Sequence, residues 1–167
     1  MNQAHLPEFE KIHRQYYSMV LNLCRGFMKG DMDLAHDLAQ EVFINVWNAL
    51  PGYRAEASYK TWIYRITVNT CLLQIRKDKN KIKVSLETAA HATETDAAAQ
   101  ENEKVLYRAI GQLDEVDRLM MMMVLDEVTY EEIARIMGVT ENNLRVKIHR
   151  IKTKLKTFIE YERRRNG

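Results

Sequence analysis

The chain has 167 residues, 46% of them hydrophobic and 29% charged, with a net charge of +2. That suits one ordinary globular domain or two small ones, and 6 glycines with 2 prolines leave little punctuation for strand-and-turn architectures. The longest apolar stretch, residues 119–125, is too short to cross a bilayer, and two unpatterned cysteines exclude a disulfide scaffold or a four-cysteine zinc site.

The first residues, MNQAHLPEFEK, lack a basic stretch followed by an apolar core, so no secretory signal is expected. Cys24 and Cys71 suit a reducing cytoplasm, which is the expected location. Charge is unevenly spread. Residues 86–132 carry 3 basic and 12 acidic side chains, whereas residues 133–167 carry 10 basic and 3 acidic ones. A concentrated positive field at one end suggests a polyanion partner, with nucleic acid the first candidate.

Helical spacing fills residues 8 to 77. Phe9, Ile12, Tyr16, Met19, Val20 and Leu23 recur at steps of three and four. Gly30-Asp31 interrupts this pattern. Leu34, Leu38, Val42 and Val46 then define a second helix, widened by Phe43 and Trp47, which Pro51-Gly52 stops. Its opposite edge carries Asp37, Gln40, Glu41 and Asn48. After the polar loop 53–58, a third helix is expected over Tyr59–Arg76. Ile63, Ile66, Thr70 and Leu73 mark one apolar side; Tyr64, Val68, Cys71 and Ile75 mark another. Between them runs a narrow stripe of Thr61, Arg65, Asn69, Leu72 and Arg76. Tyr53, Tyr59, Trp62 and Tyr64 interleave with Arg54, Lys60 and Arg65 at the start of this helix, a mixture that suits stacking and phosphate contact with single-stranded nucleic acid.

Residues 78–102 read as a linker, basic at first and then small, polar and acidic, with too few apolar residues to build a core. Periodicity resumes at Val105 and runs to Leu155. The expected architecture is all-α: two small helical domains, 1–77 and 103–167, joined by a flexible linker.

The strongest local signal lies at 129–155. Thr129-Tyr130-Glu131-Glu132 fits a reciprocal capping box. Ala134 lets a second helix approach closely, Gly138 suits the turn, and Thr140 caps the longer helix that follows. Leu144, Ile148, Ile151 and Leu155 form its inward stripe. Asn142, Val146, His149, Arg150 and Thr153 then face outward. Arg145, Lys152 and Lys156 flank that face on one side; Asn143, Lys147 and Lys154 flank it on the other. This is a helix-turn-helix with a face suited to a major groove, where Asn and Arg can pair with base edges and Lys can reach phosphates.

The runs Asp37-Leu38-Ala39-Gln40-Glu41-Val42-Phe43 with Trp47, and Thr61-Trp62-Ile63-Tyr64-Arg65-Ile66-Thr67-Val68-Asn69, resemble the extracytoplasmic-function (ECF) sigma factors of bacterial RNA polymerase. Thr129 to Leu155 resembles that family's carboxy-terminal helix-turn-helix. The resemblance implies a transcription initiation factor, without cofactor or metal, whose partners are core RNA polymerase, promoter DNA and an anti-sigma factor. It implies core-polymerase binding through Asp37, Gln40, Glu41 and Asn48. It implies single-stranded reading of the −10 element through Arg54, Tyr59, Lys60, Trp62, Arg65, Asn69 and Arg76. Duplex reading of the −35 element would fall to Asn142, Asn143, Arg145, Val146, Lys147, His149, Arg150 and Lys152. The chain departs from the family pattern at Asp114, Ala55 and Asn142-Asn143, where Pro, Gly and Gly-Thr are commoner.

An enzyme lacks support, since no HExxH, P-loop, GxGxxG or nucleophile elbow occurs and the five histidines are scattered. A stand-alone helix-turn-helix regulator would use 129–155 on duplex DNA without polymerase, with 8–77 as a sensor or dimerisation domain.

Overall fold

The computed structural model describes residues 3–81 and 99–167. Leu6–Phe27 form α1, with Pro7 in its first turn, where a missing amide does no harm. The chain leaves α1 through Lys29 and Gly30, both at positive φ, and the Gly30 amide donates to the Arg25 carbonyl at 2.8 Å. Asp31 caps α2, Met32–Ala49, by accepting from the Leu34 amide at 3.1 Å. A single 3₁₀ turn at Leu50–Gly52 ends it. The third helix, α3, spans Tyr59–Lys81. Four more follow: α4 (Ala99–Gly111), α5 (Glu115–Leu125), α6 (Tyr130–Met137) and α7 (Glu141–Arg165). No strand occurs among the described residues.

The amino-terminal half is a three-helix unit. Phe9 and His13 of α1 pack on Phe43 and Trp47 of α2, with the Phe9 and Trp47 rings edge-on at 5.1 Å. Asn45 Nδ2 of α2 donates to Thr70 Oγ1 of α3 at 3.0 Å, and Thr67 and Thr70 return their hydroxyls to carbonyls one turn back. These bonds satisfy the polar groups of an otherwise apolar interface. Ile63, Val68 and Cys71 are buried, as the two-sided pattern requires, whereas Leu34 and Leu73 fit the apolar period yet stand exposed.

In the carboxy-terminal half, α5 is the central element. Residues 117 through 123 are all buried, so the four consecutive methionines, pointing all round the helix, meet protein on every side. The two halves also pack on each other: α1 against α4 and α5, and α3 against α5 and α6. At one crossing Met122 lies so close to Gly26 that a Cβ there would sit 2.2 Å from the Met122 Cγ. Arg25 pairs with Glu103 at 2.5 Å and lies over the Tyr107 ring, while the Tyr64 hydroxyl donates to Asp126.

Both ends of the expected linker are helical. α3 continues past Arg76 to Lys81, helped by a Gln74–Asp78 bond across one turn, and α4 begins at Ala99. Residues 82–98, most of the expected linker, lie outside the described residues.

Candidate nucleic-acid and polymerase interfaces

The helix-turn-helix is built by three local devices. Thr129 accepts from the Glu132 amide at 3.2 Å and starts α6. Only this half of the capping box forms; among the described residues Glu132 makes no return bond. Gly138 takes the left-handed conformation at φ 68°, and its amide and that of Val139 close onto the Ala134 carbonyl. Thr140 then accepts from the Asn143 amide at 3.2 Å and starts α7. Leu144, Ile148, Ile151 and Leu155 are buried against the body of the fold. Each such side chain contributes about 1.5–3 kcal/mol by leaving water, which fixes the rotation of α7 about its axis.

That rotation exposes Asn142, Asn143, Arg145, Val146, Lys147, His149, Arg150 and Lys152. The two flanks meet different neighbours. Arg145 pairs with Glu141 at 2.7 Å and lies over the Tyr130 ring of α6, and Lys152 Nζ donates to the Tyr130 hydroxyl at 3.4 Å. Lys147 on the other flank reaches Asp117 of α5 at 3.3 Å. Arg150, between them, has no ion pair or hydrogen bond among the described residues.

The second group sits at the start of α3. Ser58 caps the helix by accepting from the Thr61 amide at 3.2 Å. Tyr53 donates to the Ala57 carbonyl at 2.5 Å, closing the preceding loop, and Ala55 takes a positive φ of 55°. The residue at the position where Gly is commoner thus keeps a glycine-type backbone without being glycine. Tyr53 and Tyr59 stack at 4.5 Å, and Trp62 tilts against Tyr53 at 4.8 Å. Tyr59 donates to Glu8 of α1, and that bond raises its phenol to about 12. The half-buried Tyr59 and Trp62 therefore make part of their contact within the protein. Arg54, Lys60, Arg65, Asn69 and Arg76 are exposed.

The third group lies along α2. Asp37, Gln40 and Asn48 are exposed, and Glu41 is half-buried with Lys77 of α3 at 3.5 Å. Within this polar edge stands Ile44, 60% exposed. Leu73, on the same α3 face as Thr70 and Lys77, is exposed as well. The sequence pattern includes Leu73 in an apolar side of α3 and passes over Ile44. Ile44 is detectable only as a lone apolar residue three positions after Glu41 and four after Gln40.

Residues 12–81 match the family model for Sigma-70 region 2, and residues 103–155 match that for Sigma-70 region 4. The chain is 30% identical to the ECF RNA polymerase sigma-E factor of Escherichia coli K12, with 68% of each chain covered. The chain belongs to the ECF sigma factors of the sigma-70 family. It is also 27% identical to the RNA polymerase sigma factor YlaC of Bacillus subtilis, over 91% of this chain and 92% of that one. Two solved structures share the fold. The sigma factor RpoE of Bartonella quintana, in complex with the anti-sigma factor NepR, aligns with a TM-score of 0.78 at 17% identity over 93% of this chain and 98% of that one. CnrH, in complex with the cytosolic domain of CnrY, aligns at 0.67 and 18% identity over 92% and 88%.

An ECF sigma factor serves promoter-specific initiation by RNA polymerase, and the three exposed groups lie on the two sigma regions: α2 and α3 in region 2, α7 in region 4. No described helix of this sigma factor is long and apolar enough to cross a membrane.

Proposed function

We propose that this sigma factor binds core RNA polymerase through the α2 edge, reads the −35 element as duplex through α7, and reads the −10 element as a single strand through residues 54–76. The observation that carries the reading is the outward face of α7. Its rotation is fixed by four buried anchors and its start by the Thr140 cap, and it presents Asn, Arg, His and Val together. Arg150 is the base-reading candidate because it faces away from the core and has no partner of its own among the described residues. Arg145 and Lys152 suit phosphates beside it.

On region 2, Asp37, Gln40, Glu41 and Asn48 supply a polar rim around Ile44, a small apolar anchor of the kind that interfaces bury at their centre. Arg54, Lys60, Arg65 and Arg76 suit a strand's phosphates. Tyr59, Trp62 and Asn69 suit its bases.

The −10 and −35 elements lie about 25 base pairs apart, or roughly 85 Å at about 3.4 Å per pair. A chain of this length folded as one body has a radius of gyration of only about 15 Å. Reading both elements therefore separates the halves, and the docked arrangement is the state away from promoters. An anti-sigma factor, the partner of the RpoE relative, is the expected keeper of that state.

The test is permanganate footprinting of promoter DNA with core polymerase and this chain. The proposal expects thymine reactivity in the −10 region that falls with Asn69→Ala and Trp62→Ala while the closed complex persists. Unchanged reactivity in both variants would remove the single-strand role.

A further inference from the structure

The two flanks of α7 differ in a way that the exposure of their lysines hides. Asp117 stands in the first turn of α5 and is only 6% exposed. Its Oδ1 is buried and has no hydrogen-bond partner among the described residues. The charge that answers it is the Lys147 ammonium, 3.3 Å away on the second turn of α7. The two residues line opposite walls of a groove of about 530 Å³ between α5 and α7, with Asp114 on the acidic wall and Asn143 and Arg150 on the other.

A carboxylate withdrawn from water needs a cation or donor beside it, and stranding it is far more unfavourable than losing an exposed pair. The helix-dipole field at the start of α5 favours a negative charge there but does not replace the cation. A phosphate that recruited Lys147 would have to draw its ammonium from Asp117 or share it, and either way would bring a second negative charge to the same groove. The opposite flank has no such conflict. Lys152 leans on a neutral phenol, so its ammonium can turn to a phosphate and leave no buried charge behind.

Resting on the proposed reading of α7 as the DNA-facing helix, we infer that Lys147 is a positioning residue for that helix and not one of its phosphate contacts. Its ammonium is retained by Asp117 and holds the first two turns of α7 at a fixed angle to α5. The phosphate track then runs along the α6 side, past Arg145 and Lys152. Lys147 belongs to the set that the sequence assigns to −35 DNA, and the inference removes it from that set.

The experiment measures binding of the complete chain, assembled with core polymerase, to promoter DNA across a salt series. Each phosphate contact contributes about 0.9 to the slope of log affinity against log salt. Lys152→Ala should lower the slope by about that amount. Lys147→Met should leave the slope unchanged while lowering affinity and the unfolding midpoint, and Asp117→Asn/Lys147→Met should restore the midpoint by removing the stranded charge, with affinity recovering only in part because the tie between the helices is gone. A slope lowered by about one in Lys147→Met and in the double variant would overturn the inference and leave the reading of α7 intact. Slopes unchanged in Lys152→Ala, Arg150→Ala and Lys147→Met alike would take α7 off the DNA, and the inference would fall with it.

Discussion

The Arg118 guanidinium of α5 donates through Nε to the Phe27 carbonyl at 3.0 Å and lies over the Phe27 ring, 5.5 Å from its centroid. Its Nη1 donates to the Leu113 carbonyl at 2.7 Å. Phe27 ends α1, and Leu113 follows the end of α4, so one cation serves carbonyls at two helix carboxy-termini, where helix dipoles favour positive charge. Burial lowers the Arg118 pKa from its usual value, and the acidic Glu115 and Asp114 oppose that shift. Arg118→Met should destabilise the fold by roughly 1–3 kcal/mol for each carbonyl left bare, and so lower the unfolding midpoint. Arg118→Lys should not restore it, because an ammonium cannot reproduce the planar fork. Chemical denaturation of the three proteins checks this, and equal midpoints would contradict it.

Gly26 and Met122 make another close contact between the halves. Gly26→Ala gains helix propensity of up to about 1 kcal/mol, yet its new methyl collides with the Met122 side chain. Overpacking of this kind costs about 1–3 kcal/mol, so the single variant should be less stable than the parent. Shortening Met122 to Ala in the Gly26→Ala background should recover part of the loss. A denaturation double-mutant cycle showing simple additivity would count against the contact.

Ala55 offers a gain. A non-glycine residue in the left-handed region carries strain of about 1–2 kcal/mol, and glycine gives back roughly 0.4–1 kcal/mol through the unfolded chain. Ala55→Gly should therefore stabilise the protein by up to about 1 kcal/mol. Thermal unfolding reads this directly, and a lowered Tm would show that the loop keeps its shape for another reason.

The Tyr59–Glu8 bond gives two pH limits with opposite signs. The hydrogen bond from Tyr59 holds Glu8 below its ordinary 4.5, so its contribution is complete above that value and is lost as pH falls through the lowered one. The same bond raises Tyr59 to about 12, so the tyrosine contribution is complete below about 10 and is lost as pH rises toward 12. Tyr59→Phe should flatten both limbs of stability against pH relative to the parent. Parallel curves across both windows would contradict the bond.

Much of this protein is written locally. Thr129, Gly138 and Thr140 announce the helix-turn-helix because caps and turns depend on residues within one turn of each other, and Leu144, Ile148 and Ile151 announce the buried face by period alone. Leu34 and Leu73 obey the same period and stand exposed, since periodicity places a residue on a face without saying whether a neighbour covers it. The return bond of Glu132 fails for a related reason: spacing permits it and does not require it. Helix α3 outruns its expected end because Lys77, Asp78 and the residues after them are polar yet compatible with helix. The docking of the halves was not legible. It rests on Arg118 with Phe27, Tyr64 with Asp126 and Met122 with Gly26, pairs far apart in sequence and of no distinctive type. Ile44 is not legible in the sequence because one apolar residue on a polar edge carries no pattern.

As a sigma factor, this chain should confer promoter choice on core RNA polymerase and not regulate alone. Run-off transcription from a genomic library, with bacterial core enzyme in the presence or absence of the chain, tests it most directly. Discrete transcripts are expected that require the chain, share upstream −35 and −10 elements, and shift in −35 preference at one position in the Arg150→Ala protein. Core enzyme that gains no transcripts from the chain, together with tight binding of the free chain to a palindromic duplex, would contradict it and leave a stand-alone regulator.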